Sequence, residues 1–276
     1  MPVKKYIADL HTHSAASDGQ HRPAELAGLA KEAGIEVLAL TDHDTIDGVR
    51  EAVEAGGALG VRVIPGIELS AREYNTFHIL GYNIDPADPG LNALCEERRG
   101  KRDQRALAII GYLAKKDMPI TLEEVKAAAG GDVVGRPHFA RLMLEKGYIT
   151  NYRHAFDLYL DTQEYHDYMG NGRPAVERCI RVLKGAGGKV SMAHPHQIGI
   201  DNEALDKQVR ELAALGIDAI ECYYPKHTAA QTAFYLELAE KYGLHVTGGS
   251  DFHGEKVKPE IQLARLELEL DWLGLG

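Results

Sequence analysis

Two histidines one residue apart, His11 and His13, follow the short apolar run Tyr6-Ile7-Ala8. Such a run reads as a strand, and side chains two apart on a strand project to the same side. Imidazole is the commonest neutral metal ligand, so the pair is half of a coordination site. Its plain alternative is a pair of ordinary surface histidines. The same residue types recur where other apolar runs end: Asp18 in the loop after the pair, His43 in Thr41-Asp42-His43-Asp44, and Glu68 after Pro65-Gly66-Ile67. His194 follows Met192-Ala193, Asp251 and His253 stand in Ser250-Asp251-Phe252-His253, and His78 lies on a further apolar run, Phe77 to Asn83. A cluster of nitrogen and carboxylate donors binds divalent ions, whose chemistry is polarisation of an oxyanion and activation of water.

The elements that must position these residues alternate. After the first strand, Arg22-Pro23 opens a helix with the stripe Leu26, Leu29, Ala30 and Ala33, which Gly34 ends. Val37-Leu38-Ala39-Leu40 is a continuous apolar run, the mark of a strand buried on both faces of a parallel sheet. A helix over Ile46 to Leu59 leads to a strand ending at Glu68, and Phe77 to Asn83 is the next strand. From about Pro86 the pattern turns helical, over Leu91–Lys116, then from a capping start at Thr121-Leu122-Glu123-Glu124, then over Pro137–Lys146 and Arg153–Leu160. The alternation resumes after Arg173-Pro174, with strands near Lys189, Ala219 and His245, helices over Asn202–Leu215 and Thr228–Tyr242, and a short edge strand over Leu263–Leu270. Seven core strands, starting near Lys4, Val37, Arg62, Phe77, Lys189, Ala219 and His245, suit an α/β barrel, where reacting groups gather at the carboxyl ends of strands. The expected organisation is one barrel unit from residues 1–85 and 173–276, with 86–172 an inserted helical lid over its mouth. Arg98, Lys101, Arg102 and Arg105 share one face of the long helix; the plain reading is a solvated face, the sharper one contact with an anionic ligand.

Composition narrows the function. The chain has 276 residues, 45% hydrophobic and 26% charged, ordinary values for a globular protein. A net charge of −10 disfavours long nucleic acids as partners. Cys95, Cys179 and Cys222 form no CxxC pair, so neither a disulfide framework nor a thiolate metal site is expected, and a reducing, cytoplasmic setting is. There is no signal-peptide h-region and no apolar run of membrane-spanning length, so no membrane association is expected.

Taken in order, DLHTHSAASDG, LALTDHD, PGIELS, HILGY, MAHP and GSDFH resemble the motifs of the PHP family (polymerase and histidinol phosphatase), over about residues 7–253. The segment Val134-Gly135-Arg136-Pro137-His138-Phe139-Ala140-Arg141 further resembles the family's branch of small-molecule phosphoesterases and nucleotide phosphatases, which carries a helical insert after the fourth strand. The resemblance implies a distorted (β/α)7 barrel with an inserted helical subdomain and two or three divalent metal ions at its carboxyl end. Carried over residue by residue, it implies one ion on His11, His13, Glu68 and Asp251, a second on Asp18, His43 and His253, and a third on Glu68, His78 and His194. Such donors suit Mn2+, Fe2+ or Zn2+, and Asp18, where some relatives have histidine, favours Mn2+. Asp42 is expected to hold the His43 imidazole and Asp44 to cap the following helix. His21, His154, His166, His227 and His245 lack such context and read as structural or exposed.

The implied reaction is hydrolysis of a phosphate ester by metal-activated hydroxide, with no covalent intermediate on the protein. No GxSxG or suitable cysteine offers a competing nucleophile. Asp251 and His138 are the catalytic candidates, His138 as substrate contact or proton donor to the leaving oxygen, with helix N-terminal packing as its plain alternative. Arg136 is the leading substrate cation, because guanidinium engages phosphate bidentately. Bisphosphate phosphatases of this branch tend to carry Gly-Arg after AHP, where this chain has His196-Gln197. His196 and Lys226, the latter in Tyr223-Tyr224-Pro225-Lys226-His227, are the remaining substrate-contact candidates. The expected substrate is a small phosphomonoester or cyclic phosphodiester of a sugar phosphate or nucleotide. The alternatives are a nucleotide 3',5'-bisphosphate phosphatase, a 5'-3' oligoribonucleotide exonuclease, and a non-catalytic metal-binding regulatory module.

Overall fold

The computed structural model of the protein describes residues 4–129, 134–169 and 172–275, and for Arg102 and Asp103 the backbone only. The apolar runs form strands β1 (Lys5–Thr12), β2 (Val37–Leu40), β3 (Arg62–Ser70), β4 (His78–Tyr82), β5 (Lys189–Met192), β6 (Ala219–Tyr223), β7 (His245–Gly248) and β8 (Leu266–Glu269). They hydrogen-bond in one eight-stranded sheet of order β7-β6-β5-β4-β3-β2-β1-β8. The pairs β1–β2, β2–β3, β5–β6 and β6–β7 are parallel. β4 runs antiparallel to both of its neighbours, and β8 runs antiparallel to β1. Beyond β7 the chain returns to β1: Asp251 N donates to His11 O at 2.8 Å and His13 N to Phe252 O at 2.9 Å. The sheet is thereby curled into a nearly closed barrel, a distorted (β/α) barrel whose irregularity is the reversed β4. That reversal follows from the short β3–β4 connection, which has no crossover helix to turn the chain back parallel.

The helices are α1 (Pro23–Glu32), α2 (Val49–Leu59), α3 (Pro89–Ala114), α4 (Leu122–Ala129), α5 (Arg136–Glu145), α6 (Tyr152–Ala155), α7 (Gln163–Met169), α8 (Val176–Gly185), α9 (Asn202–Ala214) and α10 (Ala229–Tyr242). α8 buries Val176, Cys179, Ile180 and Leu183, spaced i, i+3, i+4 and i+7, in the cluster that also holds Ile79, Val190 and Ile220 of the sheet. Each such aliphatic side chain contributes about 1.5–3 kcal/mol when fully buried. α9 and α10 start where their caps dictate: Asp201 accepts from Ala204 N at 2.8 Å, and Thr228 from Gln231 N at 3.2 Å. α2 starts at Val49, later than its apolar pattern predicts, because Asp44 has left-handed φ (53°) and a turn joins Ile46 to Val49. Among the described residues no helix is long and apolar enough to cross a membrane.

The chain divides into two compact units, Met1–Cys95 with Arg173–Gly276, and Glu96–Gly172. The second has its own core, in which Ile109, Leu113, Phe139, Met143, Leu160 and Tyr165 are buried together. α4 begins at the expected capping box, with Thr121 N donating to Glu124 at 2.8 Å and Glu124 N to Thr121 Oγ1 at 3.2 Å. The single helix expected over Arg153–Leu160 is one turn of α6 followed by a π-helical turn, Phe156–Leu160. On α3, Arg98 is buried and donates to Gly172 O at 2.9 Å, and Arg105 donates to the Tyr165 hydroxyl at 3.4 Å. Arg98 is therefore an interior strut of the second unit and Arg105 a half-buried one, while Lys101 of the same face is exposed; the side chain of Arg102 lies outside the described residues.

Candidate metal centre

The barrel geometry explains why residues scattered from Asp9 to His253 meet. Parallel strands deliver His11, Glu68 and His194 at or near their carboxyl ends, the loops just beyond them deliver His13, His43, Asp251 and His253, and Asp18 comes from the loop after β1. His78 opens β4, and the antiparallel sense of that strand brings its amino end to the same rim. Glu68, fully buried, lies at the middle. Its Oε1 is 2.9 Å from His78 Nδ1, 3.0 Å from His194 Nε2 and 3.4 Å from His11 Nε2. Its Oε2 is 2.8 Å from His43 Nδ1 and 3.3 Å from His13 Nε2. Asp251 Oδ1 is 3.2 Å from His13 Nε2, 3.4 Å from His253 Nδ1 and 3.7 Å from His11 Nε2. Asp18 faces His253 at 3.3 Å and His43 at 3.9 Å. Donor atoms within 4.8 Å of one another fall into overlapping groups: His13, Asp18, His43 and His253; His11, Glu68 and His194; His11, His13 and Asp251; His43, Glu68 and His78.

Buried carboxylates beneath these residues hold them in place. Asp9 accepts from Ser250 N at 2.9 Å, Ser250 Oγ at 2.5 Å and Ala264 N at 2.8 Å, tying β1 to the segment after β7. Asp42 accepts from Ser14 N at 2.7 Å, Ser14 Oγ at 2.6 Å and Ser17 Oγ at 2.5 Å. It fixes the loop that carries Asp18, which corrects the expectation that it orients His43. Asp44 accepts from Ser70 N at 3.1 Å, while α2 starts without a side-chain cap, so the helix-capping role expected of Asp44 is also corrected. Glu221 of β6, which its surroundings in the sequence do not mark, bonds His11 Nδ1 at 3.0 Å and accepts from His194 N at 2.7 Å. His194 (φ 23°) and Asp251 (φ 57°) sit in the left-handed region that side chains other than glycine's avoid. Such strain persists only where surrounding bonds over-determine the backbone.

The electrostatics are those of a cation site. Burial opposes ionisation of Glu68, but His43, His78 and His11 outweigh it and hold the carboxyl well below its ordinary range. Asp251 and Asp18 are likewise pulled well below against their burial, each first by His253. Burial, then His253 and His43, pushes His13 down to about 4, and burial pushes His78 to about 4. Burial works against charge on His43 too, yet Glu68 and Asp18 raise it to about 9. Ionised carboxylates therefore stand among imidazoles of both kinds. Burial keeps His13 and His78 neutral. Against burial, Glu221 and Glu68 hold His11 well above its ordinary range and His43 is raised likewise, so the carboxylates draw positive charge to the site. His11 Nε2, both ring nitrogens of His13 and Glu68 Oε2 have no aligned hydrogen bond although shut off from solvent. Orphaned buried polar atoms converging on one place are what a missing ion leaves. The donor set fits divalent metal: imidazole and carboxylate, with the cysteines buried elsewhere and in no disulfide.

The candidate substrate residues are more dispersed. In the barrel unit, His196 packs its ring against Tyr224 (centroids 5.2 Å apart) and His227 (4.9 Å). Lys226 pairs with Glu260 at 3.4 Å. In the second unit, Arg136 donates to Leu160 O at 3.1 Å and Asp161 Oδ1 at 2.6 Å, and His138 Nδ1 accepts from Gly135 N at 3.0 Å. Two further residues beside the centre carry no motif: Lys258 and Tyr224 donate to Asp251 Oδ2 at 2.7 and 2.9 Å. Of the other histidines, His245 stacks on Trp272, His227 donates to Cys222 O, and His21 and His166 pair with Glu255 and Asp161.

The PHP domain model matches residues 9–170. A 5'-3' exoribonuclease of Haemophilus influenzae is 34% identical over 91% of this chain and 90% of its own length. A phosphoribosyl 1,2-cyclic phosphate 1,2-diphosphodiesterase of Eggerthella lenta is 33% identical over 90% and 95%. A 3',5'-nucleoside bisphosphate phosphatase of Chromobacterium violaceum is 30% identical over 89% and 86%. Among solved structures, a protein of Bifidobacterium adolescentis classed as a metal-dependent phosphoesterase superposes with a TM-score of 0.81 at 30% identity, over 97% of this chain and 94% of its own.

Proposed function

This chain belongs to the PHP-domain family and is a phosphoric ester hydrolase, and from that premise we propose that it cleaves a small phosphate ester, a phosphomonoester or cyclic phosphodiester of a sugar phosphate or nucleotide. The observation that carries the reading is the ring of donors around Glu68, in which His11 Nε2, both ring nitrogens of His13 and Glu68 Oε2 are buried without an aligned hydrogen bond. His11, His13, Glu68 and Asp251 would hold one ion, Asp18, His43 and His253 a second, and Glu68, His78 and His194 a third, with Mn2+ the ion of choice. Divalent ions, when bound, neutralise phosphoryl oxygens and lower the pKa of a coordinated water.

The chain's own residues do the rest. Lys258 and Tyr224 hold Asp251 by Oδ2, which turns Oδ1 toward His11 and His13. Asp251 thus orients the attacking water from a fixed position, and Lys258 supplies positive charge for the phosphoryl group. In the barrel unit, Lys226 and His196 take the substrate's other polar groups. The acidic balance of the chain, −10, and its three buried cysteines, none in a disulfide, support a small substrate and a cytoplasmic setting.

A second reading, cleavage of short RNA from its 5' end, is favoured by the exoribonuclease relative, which this chain matches over 90% of that protein's length. The test is phosphate release from a panel of phosphomonoesters, cyclic phosphodiesters and nucleoside bisphosphates with added Mn2+, beside a gel assay on a 5'-phosphorylated oligoribonucleotide. Turnover of the small esters that Glu68→Gln lowers by several orders of magnitude is the expected result. Stepwise shortening of the RNA without small-ester turnover selects the second reading, and near-wild-type turnover by Glu68→Gln refutes the assignment of the centre.

A further inference from the structure

Glu221 lies between Ile220 and Cys222 on β6, with no solvent exposure. An ionisable side chain in such a place costs several kcal/mol of desolvation unless its oxygens are fully used. Both are used, and both on donors of the centre: Oε1 is 3.0 Å from His11 Nδ1, and Oε2 accepts from the backbone N–H of His194 at 2.7 Å. We propose that Glu221 is the positioning residue of the metal centre, one carboxylate that sets the ring of the β1 ligand and the backbone of the β5 ligand together.

The geometry gives each bond a consequence. In the neutral tautomer that donates Nδ1–H to Glu221, the one able to take an ion, the lone pair lies on Nε2, which faces Glu68 Oε1 at 3.4 Å and Asp251 Oδ1 at 3.7 Å. A nitrogen lone pair between two carboxylate oxygens is repelled by both until a cation separates them. Glu221 therefore prepares His11 to bind an ion rather than to hydrogen-bond its neighbours. At His194 the bond from Glu221 anchors the N–H of a residue at φ 23°. That backbone points Nε2 at Glu68 Oε1, 3.0 Å away. No substrate contact is needed for either effect, so Glu221 acts through its two neighbours.

This inference rests on the metal reading of the site, and the experiment separates the two. Mn2+ alone is titrated into metal-free wild type, Glu221→Gln and Ser191→Ala, with free Mn2+ read by electron paramagnetic resonance. Gln keeps the size of Glu but only one acceptor, so its amide NH2 opposes the N–H of either His11 or His194. Ser191 is equally buried, with its Oγ 3.0 Å from Thr247 Oγ1, and bonds none of the metal donors. The expected result is a dissociation constant about 10- to 100-fold weaker for Glu221→Gln and unchanged for Ser191→Ala. Equal affinity in wild type and Glu221→Gln overturns the inference and leaves the metal reading standing; a wild type that takes up no Mn2+ overturns both. Should Glu221→Gln fail to fold, long-range 1H–15N spectra of the Zn2+-loaded wild type decide. A proton on His11 Nδ1 supports the assignment, and a proton on Nε2 refutes it.

Discussion

Gly249 is where the barrel closes most tightly on its chemistry. A Cβ built there would lie 2.3 Å from His11 Cβ, 2.5 Å from His11 N and 2.9 Å from His11 Cα, against 3.4–4 Å for ordinary contact. The offending atoms belong to backbone and Cβ, so no rotamer change relieves them. In Gly249→Ala the post-β7 segment and β1 must part by about 1.1 Å, the difference between 2.3 and 3.4 Å. The Asp251 N–H bond to His11 O, now 2.8 Å, stretches beyond bonding range. Lost hydrogen bonding and residual overpacking together cost about 2–4 kcal/mol. Because the displaced strand carries His11 and the displaced segment Asp251, turnover falls about 100-fold, the usual penalty for an ångström of misplacement. Urea unfolding of the metal-free protein reads the first figure and Mn2+-supported phosphate release the second. Gly28→Ala is the matched control, since nothing lies within 4 Å of its new methyl on α1 and it should gain about 0.5–1 kcal/mol. A Gly249→Ala protein as stable and as active as wild type would falsify the close approach on which the site's geometry depends.

Metal removal should lower both activity and stability: at an Mn2+ concentration 100 times Kd, binding adds about 2.7 kcal/mol, read as about 5 °C in the thermal midpoint. An unchanged midpoint on chelation, with activity intact, speaks against a bound ion. Burial raises Asp42 from 3.8 to about 6, so the folded state holds that proton more tightly than the unfolded chain. Its ionisation therefore costs about 3 kcal/mol of stability, incurred as pH rises from about 4 to 6. Asp42→Asn cannot ionise, so urea midpoints of the variant and wild type should diverge across that window in the variant's favour, and parallel curves refute the assignment. Arg136→Ala should raise KM with little change in kcat if its guanidinium engages a part of the substrate whose charge is constant through the reaction. A lowered unfolding midpoint with KM unchanged would make its bonds to Leu160 O and Asp161 its whole role.

Much of this centre is legible in the sequence because each donor stands where an apolar run stops, and a barrel brings strand ends together whatever their separation along the chain. His11, Glu68 and Asp251 could be picked out for that reason. His78 obeys the rule only through its exception: it begins its strand, and the reversed sense of β4 brings it to the rim. What supports the donors is less legible. Asp9 and Glu221 are single acidic residues inside apolar strands, a pattern that signals a buried carboxylate but not its partners. Asp42 stands next to His43 in sequence yet bonds Ser14 and Ser17, because adjacent side chains at a strand end point to opposite sides. Lys258 reaches Asp251 from a loop with no periodicity to place it. In the helical unit, an i, i+4 pattern could not show that Arg98 would be buried against a carbonyl.

The bond from Ala264 N to Asp9 spans 255 residues of sequence. A ribosome adding about 5–20 residues per second needs on the order of 10–50 s to make that stretch. For nearly all of that interval His11 and His13 belong to an unfinished chain in which Asp251 does not yet exist. No complete donor set is present before Asp251 has been made, so metal capture would follow closure of the barrel. The choice among Mn2+, Fe2+ and Zn2+ would then be set by the pool the closed barrel meets, not by whichever ion a nascent segment encounters first.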